Sequence, residues 1–315
     1  MINKMADQIY QLKVPIPYDM GDVNCYLIKG EDGFTIVDTG DHTEEAKILW
    51  TKVLSEGIPV EKLVLTHSHP DHVGLAGWFQ KQFNIPVWMS TNSYEEIQRI
   101  RTSFEGEKSS NSQSSLLSLH GLPTTTNQDN EFKMVESYQF EPTHLFEDHE
   151  EIQLGNIIFE TLWTPGHSPD HFCFYNQQNE ILLAGDHILN DINPIVMSQS
   201  VGDNPLKNYI HSLDKIKNYP TQYVLTGHGE PITNLSRRIE DMKIHYQKRW
   251  KQAYESILEQ GSSAYQVSQI IYGKELSLHR SISAFIQTIT NLVYLESVGK
   301  VKMEEQSGRV YFYRN

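Results

Sequence analysis

Leu63-Val64-Leu65-Thr66-His67-Ser68-His69-Pro70-Asp71-His72 places three histidines and an aspartate directly after an apolar run. Side chains alternate along an extended chain, so His67 and His69 fall on one side. Pro70 then turns the backbone. Asp71 and His72 open a helix, predicted over Val73 to Phe83, and face a second point in space. Imidazole and carboxylate are the usual ligands of zinc and similar divalent ions. One short segment can therefore serve two metals, a geometry suited to hydrolysis by a metal-activated water.

Three later stretches follow the same pattern of an apolar strand leading into a small-residue turn that carries a ligand type. Ile157 to Trp163 leads to Thr164-Pro165-Gly166-His167, Ile181 to Ala184 leads to Gly185-Asp186-His187, and Tyr223 to Thr226 leads to Gly227-His228-Gly229. In sheets flanked by helices, sites gather beyond the carboxyl ends of strands. The glycines allow the sharp turns this requires.

With these motifs in place, the chain resembles the metallo-β-lactamase-fold hydrolase superfamily. His67-x-His69-x-Asp71-His72 matches the family signature, and His167, Asp186 and His228 match its later ligands in order. The resemblance covers roughly residues 10 to 235. It implies an α+β fold, a four-layer αβ/βα metallo-β-lactamase sandwich with two metals at one edge. Carried over by position, His67, His69 and His167 bind one ion, Asp71, His72 and His228 bind the other, and Asp186 bridges them. Asp71 and Asp186 are then the expected catalytic carboxylates. Members with a cysteine ligand and an arginine in the first motif are not matched, since position 72 is His. The flavodiiron members, with Glu where this chain has His69, are not matched either.

Asp38, closing Phe34-Thr35-Ile36-Val37, resembles the family's first acidic motif. It reads either as an acid that orients a ligand histidine or as a turn cap after a buried strand. Asn24, Tyr26, His171 and His187 are weaker candidates. His171 lies four residues after a ligand and reads either as pocket-lining or as structural; His187 adjoins the expected bridge and is expected to point away from it.

The net charge of −14 is uneven. Residues 236–315 hold 12 Lys and Arg against 8 Asp and Glu, a net of +4, so residues 1–235 carry −18. An acidic main domain disfavours a long polyanion lying across it, which leaves the basic tail as the only electrostatic footprint for nucleic acid. The two cysteines, Cys25 and Cys173, sit in strand-like contexts and imply no disulfide framework. The start of the chain lacks the apolar run of a secretory signal, and no segment is long and apolar enough to span a bilayer. A cytoplasmic protein is expected.

Residues 1–235 are expected to form the catalytic domain, with 103–149 as an insertion or lid, and 236–315 a winged-helix-like domain. Arg237 to Gln260, Tyr265 to Tyr272 and Leu278 to Ser297 read as helices, and Lys300 to Arg314 as a hairpin turning at Ser307-Gly308. This resembles the winged-helix module of one group in the superfamily, which includes lactamase-like endoribonucleases beside glyoxalase II-like relatives. The third helix offers only His279 and Arg280 as basic groups, so sequence-specific DNA is not an expected partner. Packing against the catalytic domain or a second subunit is. The resulting expectation is a binuclear hydrolase in which a hydroxide bridging two divalent ions attacks a small ester-like carbonyl, a thioester or lactone. Zinc suits the donors best, with iron and manganese open. The alternative reading is an endoribonuclease acting on single-stranded RNA, and a DNA-binding regulator is a third, disfavoured by the complete ligand set.

Overall fold

A computed structural model describes residues 2–17, 21–105, 112–122, 135–273, 275 and 278–315. Two sheets carry the fold. The first runs in chain order: β1 (Ile2–Ala6), β2 (Ile9–Pro15), β3 (Asp22–Lys29), β4 (Phe34–Val37), β5 (Val60–Val64), β6 (Val87–Ser90) and β7 (His144–Phe146). Pairing is antiparallel from β1 to β4 and parallel from β4 to β7. The second sheet is ordered β12 (Tyr223–Thr226), β11 (Ile181–Gly185), β10 (Phe172–Asn176), β9 (Ile157–Trp163) and β8 (Glu151–Leu154). There only β11 and β12 are parallel.

The four layers follow from which faces are apolar. β10 and β11 are buried along their whole length, as strands covered on both faces must be. Between the sheets, Ile9, Val37 and Val64 of the first meet Phe159, Phe174 and Leu183 of the second. Each fully buried side chain of this kind contributes about 1.5–3 kcal/mol over an exposed one, so the sheets are joined well beyond the site itself. Outside the first sheet, Trp50 of α1 (Glu44–Ser55), Phe79 of α3 (Ala76–Phe83) and Ile97 of α4 (Thr91–Glu105) cover Leu12, Cys25 and Leu63. Outside the second, Leu213 of α6 (Pro205–Ile216) and Ile239 and Met242 of α7 (Leu235–Glu255) cover Leu162, Cys173 and Val224. This is the expected α+β sandwich. Cys25 and Cys173 are buried and free.

One predicted element differs. The helix expected over Val73 to Phe83 is two helices, α2 (Pro70–Val73) and α3. Pro70 fits the first turn of α2, where no amide hydrogen is needed. Gly74 then packs so closely that a Cβ there would lie 2.5 Å from the His42 nitrogen and from the Pro70 carbonyl. That contact pins the break, and Leu75 restarts the chain outside helical geometry.

The C-terminal elements are the second half of α7, α8 (Ala264–Tyr272), α9 (Leu278–Ser297) and a hairpin of β13 (Val301–Gln306) and β14 (Arg309–Arg314). Ala253, Val267, Phe285, Ile289, Val301 and Phe312 form their shared core. The expected boundary at 235/236 falls in the first turn of α7. Much of the segment expected as a lid, 106–111 and 123–134, lies outside the described residues. Its described helix, α5 (Ser112–Leu119), buries Leu116 in the C-terminal core. Among the described residues no helix is long and apolar enough to cross a membrane.

Candidate metal centre

The four motif loops converge where the two sheets meet at one edge. β5 delivers His67, His69, Asp71 and His72 from the first sheet. The β9–β10 turn delivers His167, the end of β11 delivers Asp186 and the end of β12 delivers His228. These seven residues form two groups able to hold a metal ion: His67 with His69 and His167, and Asp71 with His72, Asp186 and His228, the ligand atoms of each lying within 4.8 Å of one another. Asp186 Oδ2 stands 3.6 Å from His167 Nε2 in the first group and 3.4 Å from His228 Nε2 in the second. Asp71 Oδ2 is 3.3 Å from His228 Nε2.

The hydrogen bonds behind the rings fix which nitrogen faces the centre. His167 Nδ1 donates to the Ile195 carbonyl at 2.8 Å, and His228 Nδ1 to the Asp22 carbonyl at 2.8 Å. A carbonyl only accepts, so each Nδ1 carries its proton and Nε2 is the nitrogen turned to the centre. Asp38 does the same for His72, accepting from Nδ1 at 2.8 Å, and also takes the Thr66 amide and hydroxyl. With its proton given to Asp38, the Thr66 oxygen accepts from His67 Nδ1 at 2.9 Å. Asp38 is thus the orienting acid rather than a cap, and it holds two rings at once, one of them through Thr66. His69 presents Nδ1, 2.9 Å from His167 Nε2.

The donor set fits divalent ions. His67, His72 and His228 Nε2 and Asp186 Oδ1 are buried without a hydrogen-bond partner among the described residues, a costly state unless something else satisfies them. The electrostatics agree. Burial, then the neighbouring His72 and His69, holds His67 well below the ordinary imidazole range. Burial and His69 push His167 down to about 4. These rings are neutral donors at physiological pH. In the second group burial opposes charge, yet Asp186, Asp38 and Asp71 raise His72 well above its usual value. Asp186 and Asp71 likewise carry His228 up to about 10 against burial. Against the same opposition, His72 and His228 bring Asp71 down to about 2 and hold Asp186 well below the carboxylate range. The pocket of carboxylates demands positive charge, which protons or cations can supply.

All seven predicted residues come together. The weaker candidates stand behind them. Asn24 Nδ2 and the Tyr26 hydroxyl donate to the Thr226 carbonyl, bracing the turn to His228. His171 Nε2 accepts the Asp186 amide at 3.1 Å while Nδ1 meets the Thr164 hydroxyl. The His187 ring packs edge-on against the Tyr209 ring. Sequence reading missed Thr66, the two orienting carbonyls and Asp170. Buried Asp170 accepts the Ser68 amide, between two ligand histidines, at 2.8 Å. A Ser/Thr directly before the first motif histidine was the one available signal.

Two layers of sheet closed by helices, with paired His/Asp clusters at the shared edge, define a metal-dependent hydrolase. The chain belongs to the Metallo-beta-lactamase superfamily, whose sequence model it matches over residues 18–228. It is 28% identical to "Probable metallo-hydrolase YqjP" of Bacillus subtilis, over 98% of each chain. A metallo-beta-lactamase family protein of Thermus thermophilus, of known crystal structure, superimposes with a TM-score of 0.81 at 28% identity, over 98% of this chain and 99% of that one. Shorter matches are to "Hydroxyacylglutathione hydrolase GloC" of Haemophilus influenzae (28% identity, 54% of this chain, 69% of that one) and "Atrochrysone carboxyl ACP thioesterase" of Aspergillus fumigatus (32% identity, 33% and 31%).

Proposed function

We propose that this hydrolase is binuclear and cleaves a small ester-like carbonyl substrate, a thioester or a lactone. The observation that carries the two-ion reading is the Asp186 carboxylate, shared between the two ligand groups. His67, His69 and His167 would hold one ion and Asp71, His72 and His228 the other, with Asp186 bridging; imidazole and carboxylate donors favour Zn2+. Bound there, the ions would supply Lewis acidity and a nucleophile drawn from water at neutral pH. The chain's own part is to aim the Nε2 atoms of His72, His67, His228 and His167 inward through Asp38, Thr66, Asp22 and Ile195. Asp71 is the more open of the two carboxylates, its side chain 15% exposed against 5% for Asp186. Besides holding its ion, it would orient the attacking water.

The substrate class is supported by the thioesterase and hydroxyacylglutathione hydrolase named above, by the acidic catalytic region, and by half-exposed Ile195, whose carbonyl meets His167. Apolar rims suit an acyl group better than a polyphosphate chain. A panel of thioester, lactone, β-lactam, phosphodiester and single-stranded RNA substrates, assayed with added Zn2+, tests the reading. Turnover of a thioester or lactone above the rest is expected. Faster cleavage of RNA, with binding that weakens steeply with salt, would overturn the substrate class. His69→Ala and Asp186→Asn are expected to lose at least about a hundredfold in kcat, the loss typical of an essential catalytic group, with the fold intact. Retained turnover in metal-replete Asp186→Asn would reject the bridge.

A further inference from the structure

His167 owes its orientation to one carbonyl, that of Ile195. Ile195 lies in the connection 186–204 between β11 and α6, which has no helix or strand of its own. Connections this long in a compact domain are usually functional or held from outside. Burial of Ile188, Leu189 and Val196 holds part of it, while Ile192 and Ile195 between them are 50% and 49% exposed. Hydrogen bonds from two helices hold the rest. On α7, Arg238 Nε donates to the Leu189 carbonyl at 2.7 Å, and Nη2 donates to the Ile192 carbonyl and Asn193 Oδ1 at 2.7 and 2.8 Å. On α9, Thr290 Oγ1 accepts the Ser198 amide at 2.9 Å, its own proton going to the Ile286 carbonyl within the helix. The two anchors bracket Ile195. Both come from beyond the family-matched residues 18–228.

We propose that Arg238 and Thr290 are positioning residues for His167, by which the C-terminal helices set the affinity of one of the two metal sites. This rests on His167 being a metal ligand. The planar guanidinium meets three acceptors with donors fixed in a rigid fork, a geometry the rotatable donors of an ammonium group do not reproduce. Without it, the Ile195 carbonyl is free to leave Nδ1, and the His167 ring loses both its tautomer and its aim. Groups that orient metal-binding histidines from behind typically govern about ten- to a hundredfold of metal affinity.

The test measures Zn2+ affinity by chelator competition, with Co2+ absorption as a second readout, on the full chain and its variants. His167→Ala should lose one of two ions. If it binds both as tightly as the native chain, the ligand reading itself fails, whatever the connection does. Given that loss, Arg238→Ala should weaken one ion, and only one, about tenfold or more, with Arg238→Lys in between. Added to His167→Ala, Arg238→Ala should weaken the remaining ion no further. A folded Arg238→Ala protein with two native affinities, or one weakened equally at both sites, overturns the proposal. Should Arg238→Ala fail to fold, the near-isosteric Thr290→Val decides: a selective loss of severalfold supports the proposal, and unchanged affinities overturn it.

Discussion

Asp38 shows how much one side chain can govern. Its backbone sits at φ +61, a region that costs energy for any residue but glycine and least for Asp and Asn. From there it sets His72 directly and His67 through Thr66. Asp38→Asn keeps the backbone preference and removes only the charge and one acceptor, so it isolates the orienting role. Metal affinity is expected to fall about ten- to a hundredfold, read by chelator competition, with the melting temperature of the metal-free protein little changed. Gly227 is the steric counterpart. A Cβ there would stand 2.1 Å from Asp186 Oδ1, and Gly227→Ala should therefore match Asp186→Asn in lost metal and turnover. The seven ligand-type residues were legible because a histidine after a strand and a small-residue turn is a rare pattern. The groups that aim them were less so. Ile195 and Asp22 act through carbonyls, which every residue carries, and Asp170 reaches Ser68 from a hundred positions away.

At the scale of elements, apolar runs identified β9, β11 and β12 ahead of their ligand turns and missed strands whose pattern is thin. β1 reads Ile-Asn-Lys-Met-Ala and β7 has three residues, whereas β10, buried throughout, was legible only as the strand-like context of Cys173. The break between α2 and α3 was hidden because a glycine's tertiary contact, not its local preference, causes it. Tertiary contact also decides α5, which is short and leans on the C-terminal core. His120 at its end stacks on Phe312 with ring centroids 5.8 Å apart, and burial lowers its pKa to about 4. The unfolded chain takes up this proton near pH 6.5 and the folded one only near 4. The neutral contact is thus fully favourable above about pH 6.5 and is lost as pH falls through that window, on the order of 3 kcal/mol in all. His120→Phe should flatten this limb of the acid unfolding curve, measured on metal-free protein, whereas the native chain should lose stability progressively between pH 6.5 and 4.

Over the whole molecule, the ligand set draws on both sheets, so bound metal ties one half of the sandwich to the other. Each ion present at a thousand times its dissociation constant would stabilise the fold by about 4 kcal/mol. For a chain of this size that is on the order of 6 °C in melting temperature per ion. Chelation should lower the melting temperature by that order without unfolding the protein, since the inter-sheet apolar core remains; a melt unmoved by chelator would contradict the bridging site. Charge belongs to this scale too. The net of −14 was readable at once, whereas the support that C-terminal helices lend to the connection 186–204 was not, because it runs through hydrogen bonds between distant segments. The spread of the site along the chain also fixes an order of events in time. As the polypeptide leaves the ribosome, His67 to His72 emerge early, yet on the proposed binuclear reading the first ion would lack a full set until His167 follows and the second until His228. Arg238 and Thr290, which hold the connection beside His167, emerge later still. Stable metal loading would therefore be a late step, and a nascent chain stalled before residue 228 should take up at most one ion.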